Sequence, residues 1–117
     1  MFTLVSDTSI LIDLERGGIL EPVFTCCLQL IVSDLLYERE LESENGLYLK
    51  SLGLGIVVLT SDELAVAQTI RNKRKTLSLP DCFALSCAMR PRHALITGDK
   101  ALRNEGKSRG ATVFGLL

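Results

Sequence analysis

The chain has no tryptophan, one histidine and three prolines in 117 residues, and its aromatic share is 5%. With so few large rings, the core has to come from leucine, isoleucine, valine and alanine, within a hydrophobic fraction of 47%. Beside 23% charged residues, that is a globular balance and excludes an intrinsically disordered chain. No apolar run approaches the roughly 18–20 residues of a membrane span. The opening residues Met1-Phe2-Thr3-Leu4-Val5 lack a basic start and meet Asp7 at once, so no secretory leader is expected. Cys26, Cys27, Cys82 and Cys87 form no C-x-x-C pair, and His93 stands alone, which argues against a zinc site. Cys82 and Cys87 lie in an apolar helical stretch and read as buried small hydrophobes. Free thiols of this kind suit a reducing, cytoplasmic setting. There is no repeat, low-complexity tract or linker, so one domain is expected over residues 1–117.

What is present is unevenly charged. Residues 1–70 hold 3 Lys/Arg against 11 Asp/Glu, a balance of −8, and residues 71–117 hold 10 against 3, a balance of +7. The basic half is suited to a polyanion. It is equally consistent with solvated helix faces.

Strand and helix patterns alternate along the chain. An apolar strand over 2–6 runs into Asp7, and Thr8-Ser9 begins a helix with Ile10, Leu11 and Leu14 inward. Arg16-Gly17-Gly18 stops it. A second helix is expected over 19–27, with Pro22 near its first turn, and a strand over 28–32. Ser33-Asp34 starts a helix that continues through Leu41 and breaks at Asn45-Gly46. Residues 47–52 add a helical turn or two, closed by Gly53, and 55–59 form a strand at a sheet edge. A long helix opens at Ser61-Asp62-Glu63 and ends in Arg71-Asn72-Lys73-Arg74-Lys75, where cations oppose the helix dipole. Ser78 caps a helix that reaches Arg90, with Pro80 in its first turn. Residues 93–97 read as a strand, 100–107 as a helix and 111–114 as a last strand. This order predicts an α/β protein: a three-layer α/β/α sandwich around a mainly parallel sheet of about five strands. The final Leu116-Leu117 is expected to pack on a neighbour or belong to a helix this chain lacks.

In an open parallel sheet, ligands bind beyond the carboxyl ends of the strands. Asp7 directly follows the first strand and Asp99 the fourth, so both should emerge on one edge. Either alone could simply cap the next helix. Asp81, in the first turn of its helix, shares a face with Ala84, Leu85 and Ala88. An unpaired carboxylate on such a packed face is costly or takes up a proton, although the helix dipole also favours an acid there. A fourth acid is expected from the helix after the second strand, as Glu38 or Glu40. Glu40 lies one turn from Leu36. Glu38 lies in the N-terminal half, nearer the strand edge. The residues leave that choice open.

At these positions the chain resembles the PIN-domain family of ribonucleases. The matching segments are Val5-Ser6-Asp7-Thr8-Ser9-Ile10-Leu11-Ile12-Asp13, Ile31-Val32-Ser33-Asp34-Leu35-Leu36-Tyr37-Glu38-Arg39-Glu40-Leu41, Ser78-Leu79-Pro80-Asp81-Cys82-Phe83-Ala84-Leu85 and Leu95-Ile96-Thr97-Gly98-Asp99-Lys100-Ala101-Leu102. Each is weak alone, and the four in order are fairly specific. The resemblance implies a Rossmann-like fold and an acidic pocket for Mg²⁺ or Mn²⁺. It implies hydrolysis of single-stranded RNA, often by a homodimer and often as the toxin of a toxin–antitoxin pair, with a small antitoxin protein as partner. It places Asp7, Asp81, Asp99 and either Glu38 or Glu40 at the catalytic, metal-binding positions, with Ser9 and Thr97 as supporting hydroxyls. Many relatives continue past the last strand with a helix, so the chain is expected to be truncated or a minimal form.

The residue types suit that chemistry. Hard divalent cations prefer oxygen ligands and keep several waters. A bound ion relieves repulsion among the acids, activates a water and steadies charge on a phosphate. No histidine or lysine at these positions looks like a general base. Lys100 and Arg103, just past Asp99, are the expected RNA-backbone contacts, with Arg71, Lys73, Arg74 and Lys75 as an extension. Scarce aromatics favour backbone contact over base stacking. Two other readings compete. Thr97-Gly98-Asp99-Lys100 is similar to a segment of HAD-type phosphotransferases, but the second acid of their D-x-D pair is absent after Asp7. A catalytically inactive RNA-binding or dimerisation module is the stronger alternative, and the filled acid positions argue against it.

Overall fold

The computed structural model describes residues 2–25 and 29–115. Five strands form one sheet: β1 (Thr3–Ser6), β2 (Leu30–Ser33), β3 (Gly55–Val57), β4 (His93–Thr97) and β5 (Val113–Gly115). Every pairing is parallel, in the order β3-β2-β1-β4-β5. The chain therefore steps outward from β1 to β3, then returns to lay β4 on the other side of β1. The crevice between β1 and β4 is the switch point at which such sheets hold ligands. Pairing of Val5 with Leu95 and Ser6 with Ile96 brings the ends of the two strands level.

Helices α1 (Thr8–Arg16), α2 (Leu20–Thr25), α3 (Asp34–Leu36) and α4 (Gly46–Leu52) connect the outward steps. Helices α5 (Ser61–Lys73), α6 (Leu79–Ala88) and α7 (Lys100–Ser108) belong to the return and the last crossover. Right-handed parallel crossovers put these two groups on opposite faces of the sheet, which gives the three layers read from the sequence. Helix α6 is the central one. Cys82 through Ala88 are all buried, as a helix apolar all round must be. Burial pushes the thiols of Cys82 and Cys87 up to about 11, which suits their reading as inert core residues. Cys26, Cys27, Leu28, Leu116 and Leu117, and the expectations placed on them, lie outside the described residues.

The boundaries differ where a tertiary contact takes over. Helix α5 ends at Lys73, and Arg74 turns inward to the carboxylate of Glu105 at 3.1 Å. Glu105 is 1% exposed and also meets Arg109 Nε at 2.7 Å. At its start, α5 has a reciprocal cap between Thr60 and Glu63. Glu63 also holds Arg90 at 2.6 and 2.8 Å. That guanidinium, first among the causes, lowers the Glu63 carboxyl to about 2. The pair's contribution is present above the ordinary value of 4.5 and is lost as pH falls toward 2.

The largest departure follows β2. Ser33 Oγ caps α3 by accepting the Leu36 N–H at 3.1 Å, as Ser33-Asp34 suggested. The helix then widens into a π turn over Tyr37–Leu41, with the Glu42 N–H bonding the Tyr37 carbonyl at 2.8 Å. Gly46, which opens α4, lies directly on this turn. A Cβ there would come 2.7 Å from the Leu41 carbonyl oxygen and 2.6 Å from the Tyr37 hydroxyl. The first obstacle is backbone and cannot swing aside. Gly46→Ala is therefore expected to destabilise the protein by about 1–3 kcal/mol. Urea unfolding should place its midpoint below the wild-type midpoint at similar slope, and an unchanged midpoint would contradict this packing.

Candidate functional site

Asp7 and Asp99 each do the structural work their position offers. Asp7 leaves β1 in an extended conformation and caps α1, its Oδ1 accepting the Ile10 N–H at 3.0 Å and the Ser9 hydroxyl at 2.8 Å. Asp99 leaves β4 in the same way and caps α7, its Oδ1 accepting the N–H groups of Ala101 at 2.8 Å and Leu102 at 3.3 Å. Capping occupies one oxygen of each carboxylate. The Asp7 Oδ2 accepts a hydrogen bond from the Thr97 hydroxyl. Among the described residues the Asp99 Oδ2 has no hydrogen-bond partner. Capping thus leaves one oxygen open in Asp99, whereas both oxygens of Asp7 already accept hydrogen bonds.

Thr97 ties the two together. It is wholly buried, donates to Asp7, and accepts the Asp99 N–H at 3.0 Å. Asp7 is itself only 1% exposed. Ser9 and Thr97, read from the sequence as supporting hydroxyls, both bond Asp7.

Asp81 comes from the first turn of α6, where Ser78 caps the helix by accepting the Asp81 N–H at 3.2 Å. Ala84, Leu85 and Ala88 on its face are buried as the spacing predicted, and Asp81 is half-buried at the end of that face. Its carboxyl is raised above 3.8, first by burial, then by the negative charges of Asp7 and Asp99, against a hydrogen bond with Ser78 that lowers it. The sensitivity to both other acids brings Asp7, Asp81 and Asp99 into one electrostatic neighbourhood.

The fourth acid separates into two outcomes. Glu40 is half-buried, and its Oε1 accepts the hydroxyl of Thr8, next to Asp7, at 3.0 Å. Glu40 lines a hollow with Thr8, Ile12, Glu15, Glu44 and Asn45, and Glu38, which is exposed, lines another with Asp34, Tyr37, Glu42 and Lys50. The hollow of Glu38 includes Asp34, directly after β2, and Ile56 of β3, and the π turn interrupts the regular helical spacing after Leu36. Thr8 is a polar contact that the sequence reading missed, and its only signal was adjacency to Asp7. Asp13 was also passed over. Its Oδ2 lies 3.6 Å from where a Cβ of Gly98 would stand, beside the β4–α7 turn.

The basic residues divide similarly. Lys100 is exposed on the first turn of α7. The Arg103 guanidinium crosses the end of β5, where a Cβ on Gly115 would come 2.5 Å from its Nη1. Gly115 pairs with Thr97, so this cation stands at the acidic edge. Arg71 is close enough to lower the Cys82 thiol, beside Asp81. Arg74 leaves the expected track because Glu105 holds it. Arg39, not anticipated, lies 5.9 Å over the Phe83 ring.

Among the described residues, no three His, Cys, Asp or Glu side chains converge as a ready-made metal cage. The donor set still fits a hard cation. Mg²⁺ is commonly held by one or two carboxylates, with waters and substrate phosphate completing its shell. The mutual repulsion felt at Asp81 is what such an ion relieves.

A family model described as a PIN domain matches residues 3–117. No curated protein matches the chain.

The raised carboxyl of Asp81 has a measurable sign. An acid raised on folding makes the native state bind more protons, so metal-free protein loses stability as pH climbs from 3.8 through the raised value. In thermal unfolding with a chelator present, Asp81→Asn should melt above wild type at pH 7. The gain should vanish below pH 3.8. A gain independent of pH would mean that burial and like charge are not its cause.

Proposed function

The chain belongs to the PIN-domain family, whose members are nucleases as a class, and from that premise we propose a Mg²⁺- or Mn²⁺-dependent endoribonuclease acting on single-stranded RNA. The observation that carries the proposal is the Thr97 bridge. One buried hydroxyl bonds the Asp7 carboxylate and the Asp99 backbone, with Asp81 within electrostatic reach of both acids. Asp7, Asp81, Asp99 and Glu40 are the residues that would hold the ion. When bound, a divalent ion supplies an activated water and offsets charge developing on the phosphate.

The protein's own groups then have separate tasks. Ser9, Ile10 N–H and Thr97 fix the orientation of Asp7. Lys100 and Arg103 bind phosphates flanking the scissile bond, which favours affinity without base specificity. The basic balance of residues 71–117 supports a polyanionic substrate. Within the same proposal the chain is a cytoplasmic toxin, working as a homodimer and restrained by a small antitoxin protein. Among the described residues no helix is long and apolar enough to cross a membrane.

The absence of a preformed cage among the described residues favours one alternative: an inactive PIN-like module that binds RNA or dimerises. Incubation of labelled single-stranded RNA with Mn²⁺ separates the two. Wild type should cleave, a chelator should stop it, and Asp7→Asn should reduce the rate on the order of 100-fold, because it weakens the hold on the ion that would offset the transition-state charge. Asparagine is also a good helix cap, so the variant keeps its fold. Equal behaviour of wild type and variant favours the inactive module.

A further inference from the structure

A π turn inside a helix is rare, and such turns recur at functional sites. Here it decides which residue stacks on Leu36. In an uninterrupted α-helix that residue is Glu40, four positions on. Leu36 is fully buried, so a regular helix would drive the Glu40 carboxylate toward the core. With the five-residue spacing of the π turn, Leu41 stacks there instead, and Leu41 is buried. Glu40 is displaced to the margin of the apolar face, where the Thr8 hydroxyl receives it at 3.0 Å. Gly46 packs so closely on Tyr37 and Leu41 that the turn is held in place.

Thr8 stands between two commitments. Its neighbour Asp7 is fixed by Ser9, Ile10 and Thr97, and its own side chain holds Glu40. Resting on the nuclease reading above, we infer that Thr8 is a positioning residue which, with the π turn, holds Glu40 at the start of α1, one residue from Asp7 in the chain, as the fourth acid, leaving Glu38 to solvent. Threonine suits the task because it donates a hydrogen bond without adding charge to an already anionic edge.

Calorimetric titration of the metal-free protein with Mn²⁺ tests this independently of catalysis. Removing an outer partner of a metal-binding carboxylate typically costs 10–100-fold in affinity, and Thr8→Val is expected to weaken Mn²⁺ binding by about that factor. Thr8→Ser keeps the hydroxyl and should restore wild-type affinity. Glu40→Gln should weaken binding at least as much as Thr8→Val, and Glu38→Gln should leave it unchanged. Thermal melts run alongside separate positioning from stability, because a merely structural Thr8 would lower the melting temperature without moving the affinity. Wild-type Mn²⁺ affinity in Thr8→Val, or weakening in Glu38→Gln and not in Glu40→Gln, overturns the inference. Asp7→Asn is the control for the underlying reading. If it binds Mn²⁺ like wild type, the cation site itself fails. If it binds weakly while Thr8→Val does not, only the positioning role fails.

Discussion

The parallel pairing of β1 with β4 is the constraint from which the acidic edge follows. Four register pairs, from Thr3 with His93 to Ser6 with Ile96, bring the ends of two strands level although they are far apart in sequence. Asp7 and Asp99 then emerge side by side, each directed by the helix it caps. The Thr97 hydroxyl spans the gap between them. Helix α6 lies on the same pair of strands and brings the Asp81 end of its buried face to the same edge. A slip of one residue in the β1–β4 register would turn Thr97 to the other face of the sheet and disconnect the two acids.

The edge combines acids with cations, and each sign is managed differently. The acids are buried or half-buried, and Asp81 feels the charges of Asp7 and Asp99. Several cations are neutralised before they can act at a distance: Arg90 by Glu63, and Arg74 and Arg109 by the buried Glu105. The basic excess of residues 71–117 is therefore less available than its count implies. Lys100 and Arg103 remain at the acidic edge, and Arg71 lies near its α6 flank.

Much of this was legible in the residues because it rests on local rules. Asp7 and Asp99 follow apolar strands, Ser78 and Pro80 mark a helix start, and alternation of strand and helix dictates a parallel sheet. Asp81 on a small apolar face was readable from helical spacing. The surroundings of Glu38 and Glu40 were not, because they depend on a π turn packed against Gly46, a residue of a separate element. Arg74 misled for a related reason. Nothing in a basic run reveals that one of its members will turn inward to a glutamate 31 residues later. Thr8 has the ordinary appearance of a helix-start residue, and its bond to Glu40 is purely tertiary.

The reach of the Thr97–Asp7 bond, 90 residues along the chain, also bears on when the site comes into being. Long-range pairings form only after a large loss of chain freedom, and they slow folding. A chain growing from its N-terminus already carries Asp7, Glu40 and Asp81 before β4 has been made. It cannot join Asp7 to Asp99 until β4 and the turn after it have followed. The acidic edge thus gains its central bridge only after Thr97 has been made, and a copy cut short before that residue lacks it.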